Sequence, residues 1–181
     1  MLWPFNRLGK STTPPRGTIQ AIYGMIVAQA REPLFYQGLG VPDTVNGRFD
    51  MVVLHLWMVL RRLRTTAEGA AMAQAVFDRF CADMDDNLRE MGVSDTTVPR
   101  RMKALGEAFY GRSIAYDSAL AEGGDALAQA LARNVLNTEN AAAAQLLADY
   151  VRASISELDM TAHSAVADGT VRFPVPAARS Q

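Results

Sequence analysis

The stretch from Phe49 to Arg64, FDMVVLHLWMVLRRLR, constrains the fold more than any other part of the chain. Phe49, Val52, Val53, Leu56, Leu60 and Leu63 recur at the i, i+3, i+4 spacing of one helical face, and Met51, Leu54, Met58 and Val59 make most of the remaining circumference apolar. A helix that is apolar on nearly every side belongs in the middle of a domain. Its apolar run is about half of the ~20 residues a membrane span needs, and His55 interrupts it, so it reads as a buried core helix. Arg61, Arg62 and Arg64 fall in its last turns, where cations suit the negative end of the helix dipole.

The rest of the chain supplies helices to surround it. Ile19, Ile22, Tyr23, Ile26, Val27 and Ala30 form an apolar stripe that Thr18 can cap and Pro33 must break. Leu34, Phe35 and Tyr36 suggest one helical turn, followed by a loop rich in glycine and proline that leads to the central helix, with Asn46 as its cap. After a break at Thr65 to Gly69, Ala73, Phe77, Phe80, Met84, Leu88 and Met91 line a second long helix that Gly92 ends. Ser94 or Asp95 can open the next segment, with Pro99 in its first turn and Met102, Leu105, Ala108 and Phe109 as its buried stripe. Gly111 is expected to bend or end that helix. Asp125 is read as the cap of a short helix and Thr138 as the cap of a last one carrying Leu146, Leu147, Tyr150, Val151, Ile155 and Leu158.

No segment alternates with period two, so the expected class is all-α: one compact multi-helix domain around a central hydrophobic helix at about 46–64. Residues 1–17 read as an irregular arm, 18–160 as the helical body and 161–181 as an extended, partly loose tail. Trp3, Phe5 and Leu8 in the arm could dock on the body or touch a membrane surface. A chain of 181 residues suits one domain, and its net charge of −1 gives no general attraction to nucleic acid or anionic lipid. With a single cysteine, Cys81, and no secretory signal, the simplest location is a bacterial cytoplasm.

Catalytic signatures are missing. The sequence has no GxGxxG or P-loop pattern, no GxSxG elbow, and no paired-His or CxxC metal spacing. A His55, Cys81 and Asp83 metal set requires the two long helices to lie side by side, and core packing of His55 and Cys81 is the simpler reading. The carboxylates of FDRFCADMDDNLRE fan by about 100° per residue around their helix, so at most two of Asp83, Asp85 and Asp86 can share a cleft. They read as a solvated acidic face, as partners of Arg61, Arg64, Arg100 or Arg101, or as a face for a basic partner.

Three pieces taken together, LHLWMVLRRLR at 54–64, FDRFCADMDDNLREMGV at 77–93 and VPRRMKALGEAFYGRSIAYDSAL at 98–120, resemble the ubiquinol-cytochrome c chaperone family in order and approximate spacing. The resemblance covers roughly residues 18 to 155. It implies a non-enzymatic, all-helical assembly factor without a cofactor, which holds newly made cytochrome b during assembly of the cytochrome bc1 complex. The mitochondrial relatives work with a small partner subunit and near the ribosomal tunnel exit, and both contacts stay open for this chain. Direct nucleic-acid binding is not expected, and peripheral contact with the cytoplasmic face of the inner membrane is compatible with the role. Mapped onto matching positions, the implied partner-binding residues are His55, Trp57, Arg61 and Arg64, then Asp83 and Asp85, then Tyr110, Gly111, Arg112, Tyr116 and Asp117. A holder of membrane helices needs an exposed aromatic or apolar patch rimmed by charge, for which Trp57 and Tyr110 are suitable anchors. A different class competes: a small helical enzyme or a carrier of haem or quinone, with a pocket between the two long helices and His55 inside it.

Overall fold

The computed structural model describes residues 14–167, 169–170 and 172–176. Its elements run α1 (Arg16–Ala30), α2 (Pro33–Gln37), α3 (Val45–Leu63), α4 (Ala67–Glu90), α5 (Val98–Glu122) and α6 (Ala126–Leu131). A π-helical turn (Ala132–Leu136), α7 (Ala141–Met160) and α8 (His163–Ala167) complete the described chain. The fold is all-α, and every described element is helical. No described helix is long and apolar enough to cross a membrane. Trp3, Phe5 and Leu8 lie outside the described residues.

The expected central helix is α3. Every residue from Met51 to Leu60 is buried, and α1, α4, α7, α8 and the π turn all pack against it. Such all-round burial accounts for the apolar circumference: each face meets a different neighbour. Roughly 1.5–3 kcal/mol per buried large side chain makes this helix the largest local source of hydrophobic stabilisation. α5 lies on the far side of α4 and α6 and reaches α3 through long side chains.

Several helix starts differ from the sequence reading. α1 begins at Arg16, because the Pro15 carbonyl opens its hydrogen-bond ladder by accepting from the Ile19 N–H at 3.2 Å, and Thr18 is already inside the helix. Thr44, not Asn46, caps α3: its hydroxyl accepts from the Gly47 N–H at 3.1 Å. Thr66 does the same for Gly69 at 3.1 Å, so α4 starts inside the expected break. In both cases the glycine is required by a close approach. A Cβ at Gly47 would lie 2.0 Å from the Pro42 carbonyl oxygen, and one at Gly69 would lie 2.0 Å from that of Leu63. Asn140, not Thr138, caps α7 by accepting from the Ala143 N–H at 3.1 Å, and Thr138 instead accepts from the Asn140 N–H. Asp125 precedes α6 without a capping side-chain bond.

Gly111 neither bends nor ends α5, which continues unbroken to Glu122. A helical glycine costs about 1 kcal/mol, and the burial of Phe109, Ser113 and Tyr116 on the inner face outweighs it. Gly92 does end α4, with φ of 81° just past the cap at Met91. The segment read as an extended tail contains α8, whose Val166 is fully buried, and places the Phe173 ring 5.0 Å from that of His55.

Candidate partner-binding surface

The residues singled out from the sequence divide into a buried set and an exposed set. His55 is completely enclosed. Its Nδ1 lies 2.8 Å from the Met51 carbonyl, which can only accept, so Nδ1 carries the proton. Nε2 then accepts from the Tyr150 hydroxyl at 2.8 Å, and Gln29 Nε2 donates to the same hydroxyl at 3.1 Å. Phe35 and Phe173 meet the imidazole edge-on. Burial pushes its pKa from 6.5 down to about 4, with the Met51 bond opposing, so the ring is neutral. His55 faces α2 and α7 rather than α4, and both ring nitrogens are engaged. The pocket expected around it between the two long helices is therefore filled space. No group of three metal-ligating side chains occurs among the described residues, and burial pushes the Cys81 thiol up to about 11, which keeps it protonated.

Trp57 is also buried, so it is no surface anchor. Its indole N–H donates to Asp117 Oδ1 at 3.1 Å, and its ring packs 5.1 Å from that of Tyr116. Tyr116 is fully buried, and its hydroxyl has no partner among the described residues. One helical turn before it, Arg112 forms a 2.7 Å ion pair with Asp50 of α3 and lies over the Phe49 ring. Arg112 Nη1 is buried and finds no acceptor among the described residues. Burial raises the Asp50 pKa to about 6 even though Arg112 pulls it down. The seam between α3 and α5 is therefore polar and incompletely satisfied.

The acidic face of α4 is paired within the chain, though not with the expected arginines. Asp83 accepts from the Tyr23 hydroxyl at 2.8 Å and pairs with Arg79 at 3.3 Å, and Asp85 pairs with Arg89 at 2.6 Å. Arg89 also pairs with Asp95. Helical spacing of four explains the choice: Arg79 and Arg89 sit one turn from their acids, whereas Arg61, Arg64, Arg100 and Arg101 are on other helices. Arg61 instead pairs with Asp159 at 3.6 Å.

Large apolar side chains are exposed at several places, Val45, Met91, Met160 and Val175 among them, and two lie together on α5. Tyr110 is 51% exposed and Ile114 is 48% exposed, one turn apart, with Gly111 leaving a notch beside them. Asp117 continues the same face, and its charge reaches Arg64 at the end of α3 and opposes the lowering of the Arg64 pKa by burial. Five of the predicted residues, Tyr110, Gly111, Arg112, Tyr116 and Asp117, thus share α5, and Trp57 and Arg64 reach it from α3. His55, Arg61, Asp83 and Asp85 do not.

Sequence reasoning missed two features. Arg62 is buried in the last turn of α3, where Nε donates to the Leu158 carbonyl and Nη2 to that of Thr161, both at 2.6 Å, tying down the end of α7. Only its place in the arginine cluster hinted at this. The second is a cleft of about 340 Å³ beside the Asp50–Arg112 pair, which the π turn closes with Arg133, Asn134 and Asn137. A π turn has no simple sequence signature, although the polar RN step between apolar residues was visible.

The described chain is an all-helical protein built around a buried central helix, with Tyr110 and Ile114 exposed one turn apart on α5. A family profile described as ubiquinol-cytochrome C chaperone matches residues 37–173, and the chain belongs to that family. The family is one of assembly chaperones, not enzymes. The chain is similar to ubiquinol-cytochrome-c reductase complex assembly factor 1 of Xenopus laevis, at 30% identity over 69% of this chain and 64% of the relative. The protein of the same name in Homo sapiens is 30% identical over 69% of this chain and 43% of its own length. This chain therefore spans less than two thirds of these curated relatives. The crystal structure of the Cbp3 homolog from Brucella abortus superposes with a TM-score of 0.80 and 38% identity, covering 88% of this chain and 90% of that one.

Proposed function

We propose that this protein is an assembly chaperone for the ubiquinol-cytochrome c reductase (bc1) complex, that its client is newly made cytochrome b, and that the client is held along α5. The family match carries the reading. The exposed Tyr110 and Ile114, one turn apart on α5, supply the apolar anchors, and Asp117 and Arg64 supply the charged edge that short loops of a membrane protein would meet. His55, Trp57 and Tyr116 serve the same surface from beneath, by fixing α3 against α7 and α5. The protein works at the cytoplasmic face of the inner membrane, and a small partner subunit would share the client-loaded complex.

The test is a photo-crosslinking residue at Tyr110 or Ile114, with Met160 as an exposed control on α7, followed by purification from gently solubilised host membranes and mass spectrometry. Crosslinks to cytochrome b from the two α5 positions and not from Met160 are expected. Recovery of the protein without any respiratory subunit would overturn the reading, and crosslinks from Met160 alone would move the client to the end of α7.

A further inference from the structure

The aromatic cluster around His55 contains one ring that does not come from a helix. Phe35 belongs to α2, His55 to α3 and Tyr150 to α7, and their ring centroids lie 4.9 to 5.7 Å apart. Phe173 enters from the segment 172–176, which has no regular structure, and its ring stands at 80° to the imidazole at 5.0 Å. Side chains alone hold this segment. It makes no hydrogen bond with another described residue, and two of its five residues are prolines without an N–H to donate. Phe173 and Val175 each precede a proline, which biases both toward extended backbone. Phe173 packs against the core and Pro176 is buried, whereas Arg172 is exposed and Val175 is 81% exposed.

The helical body completes its own polar bonds without this segment. The groups that face the imidazole are the Met51 carbonyl, the Tyr150 hydroxyl and the Phe35 and Phe173 rings, none of them charged, and Tyr150 takes its second bond from Gln29 of α1. Lifting Phe173 away therefore strands no polar atom and leaves an apolar socket shaped for a phenyl ring. A short proline-flanked segment that docks through its side chains on an aromatic-lined surface is the arrangement of a polyproline-type peptide ligand, ordered before it binds. We propose that α2, α3 and α7 form a socket for an aromatic side chain carried on such a segment, and that residues 172–176 of this chain are its resident and detachable ligand. The socket lies on the α7 side of α3 and does not depend on where the client binds.

The test uses the full chain carrying Phe173→Ala, a peptide of residues 170–178, TVRFPVPAA, and the same peptide with alanine in place of phenylalanine. Removal of the ring lets water reach His55, so its imidazole NMR titration is expected to move up from about 4 by at least about one pH unit while urea unfolding stays cooperative. A short flexible tether acts like a millimolar concentration, so the phenylalanine peptide, titrated to about 10 mM, is expected to bring the His55 titration back down saturably and the alanine peptide to leave it unchanged. An unmoved His55 titration in the variant, or no response to the phenylalanine peptide, overturns the socket. Loss of cooperative unfolding in the variant makes Phe173 part of the core and overturns it too. The parent gives an independent reading. Trypsin is expected to cut after Arg172 at a rate insensitive to urea below the unfolding transition, and a rate that climbs as steeply as global unfolding shows that the segment does not detach by itself.

Discussion

Burial of a neutral imidazole makes the stability of this fold depend on pH in a way that can be worked out in advance. The His55 pKa falls from 6.5 to about 4 on folding because a cation cannot be solvated among Phe35, Tyr150 and Phe173. The native state therefore resists protonation between these values while the unfolded chain accepts a proton, and stability falls as pH drops below 6.5. One proton taken up by the unfolded chain alone changes stability by about 1.4 kcal/mol for each pH unit, so the loss between about pH 7 and about pH 4.5 amounts to about 2.5 kcal/mol. Asp50 acts in the opposite sense. Its pKa rises from 3.8 to about 6 on folding, so it favours the native state as pH falls through that interval, and the parent profile is flatter than either group alone would give. The perturbation that separates them is His55→Phe, which keeps a ring in the cavity and removes the titration. At neutral pH the variant loses about 1–2 kcal/mol, because the Tyr150 hydroxyl no longer finds Nε2. Urea unfolding followed by circular dichroism at both pH values gives the difference between parent and variant. That difference is expected to shrink by about 2.5 kcal/mol and change sign on going to the lower pH. A gap that stays constant within about 0.5 kcal/mol would show that His55 is not held neutral, and the account of the core around α7 would fail with it.

Single contacts elsewhere in the fold give four more expected outcomes. Gly47→Ala should destabilise by about 2–4 kcal/mol, because its Cβ meets the Pro42 carbonyl oxygen at 2.0 Å, whereas Gly24→Ala, with nothing within 4 Å, should stabilise by about 0.5–1 kcal/mol in the same thermal melts. Leu56→Asp should abolish cooperative folding by circular dichroism, since an unpaired carboxylate would be enclosed in the core. Arg62→Met should cost about 2–4 kcal/mol and speed hydrogen exchange in the last turn of α7, where two carbonyls lose their donor. Tyr116→Phe should be neutral or stabilising by up to about 1 kcal/mol, because the hydroxyl it removes has no partner among the described residues, and a loss above about 1 kcal/mol in urea unfolding would show that the hydroxyl is in fact paired.

The elements legible in the sequence were those governed by burial. The apolar circumference of FDMVVLHLWMVLRRLR announced α3, the stripes of α1 and α7 match the buried faces of those helices, and the aromatic turn at Leu34 to Tyr36 is α2, whereas the stripe read for α4 is buried at Ala73 and Phe80, leaves Met91 67% exposed and missed the buried Met72 and Val76. Helix starts were less legible, because a cap depends on which of several adjacent polar residues the incoming chain presents. Thr44 caps α3 in a turn where the Pro42 carbonyl lies close over Gly47, a geometry that residue types alone do not reveal. The candidate surface suffered from a related ambiguity. Trp57 and Tyr110 look equally like anchors in one dimension, but Trp57 is buried against Tyr116 and donates to Asp117, while Tyr110 is left outside. The π turn and its arginine were hidden because an extra residue per turn carries no periodic signal over five residues.

The two flanks of α3 differ in how completely they satisfy their polar groups, and the difference bears on where partners bind. Toward α7, both nitrogens of His55 and the hydroxyl of Tyr150 are saturated by intrachain bonds, with three aromatic rings closing the space around them. Toward α5, Arg112 Nη1 and the Tyr116 hydroxyl find no partner among the described residues and Asp50 keeps a raised pKa, each at a cost of order 1 kcal/mol or more. Arg112 and Tyr116 belong to the helix that also carries the exposed Tyr110 and Ile114. The closed flank holds α3 rigid, so that a client docking along α5, as proposed, would meet an ordered surface and lose little entropy in ordering it.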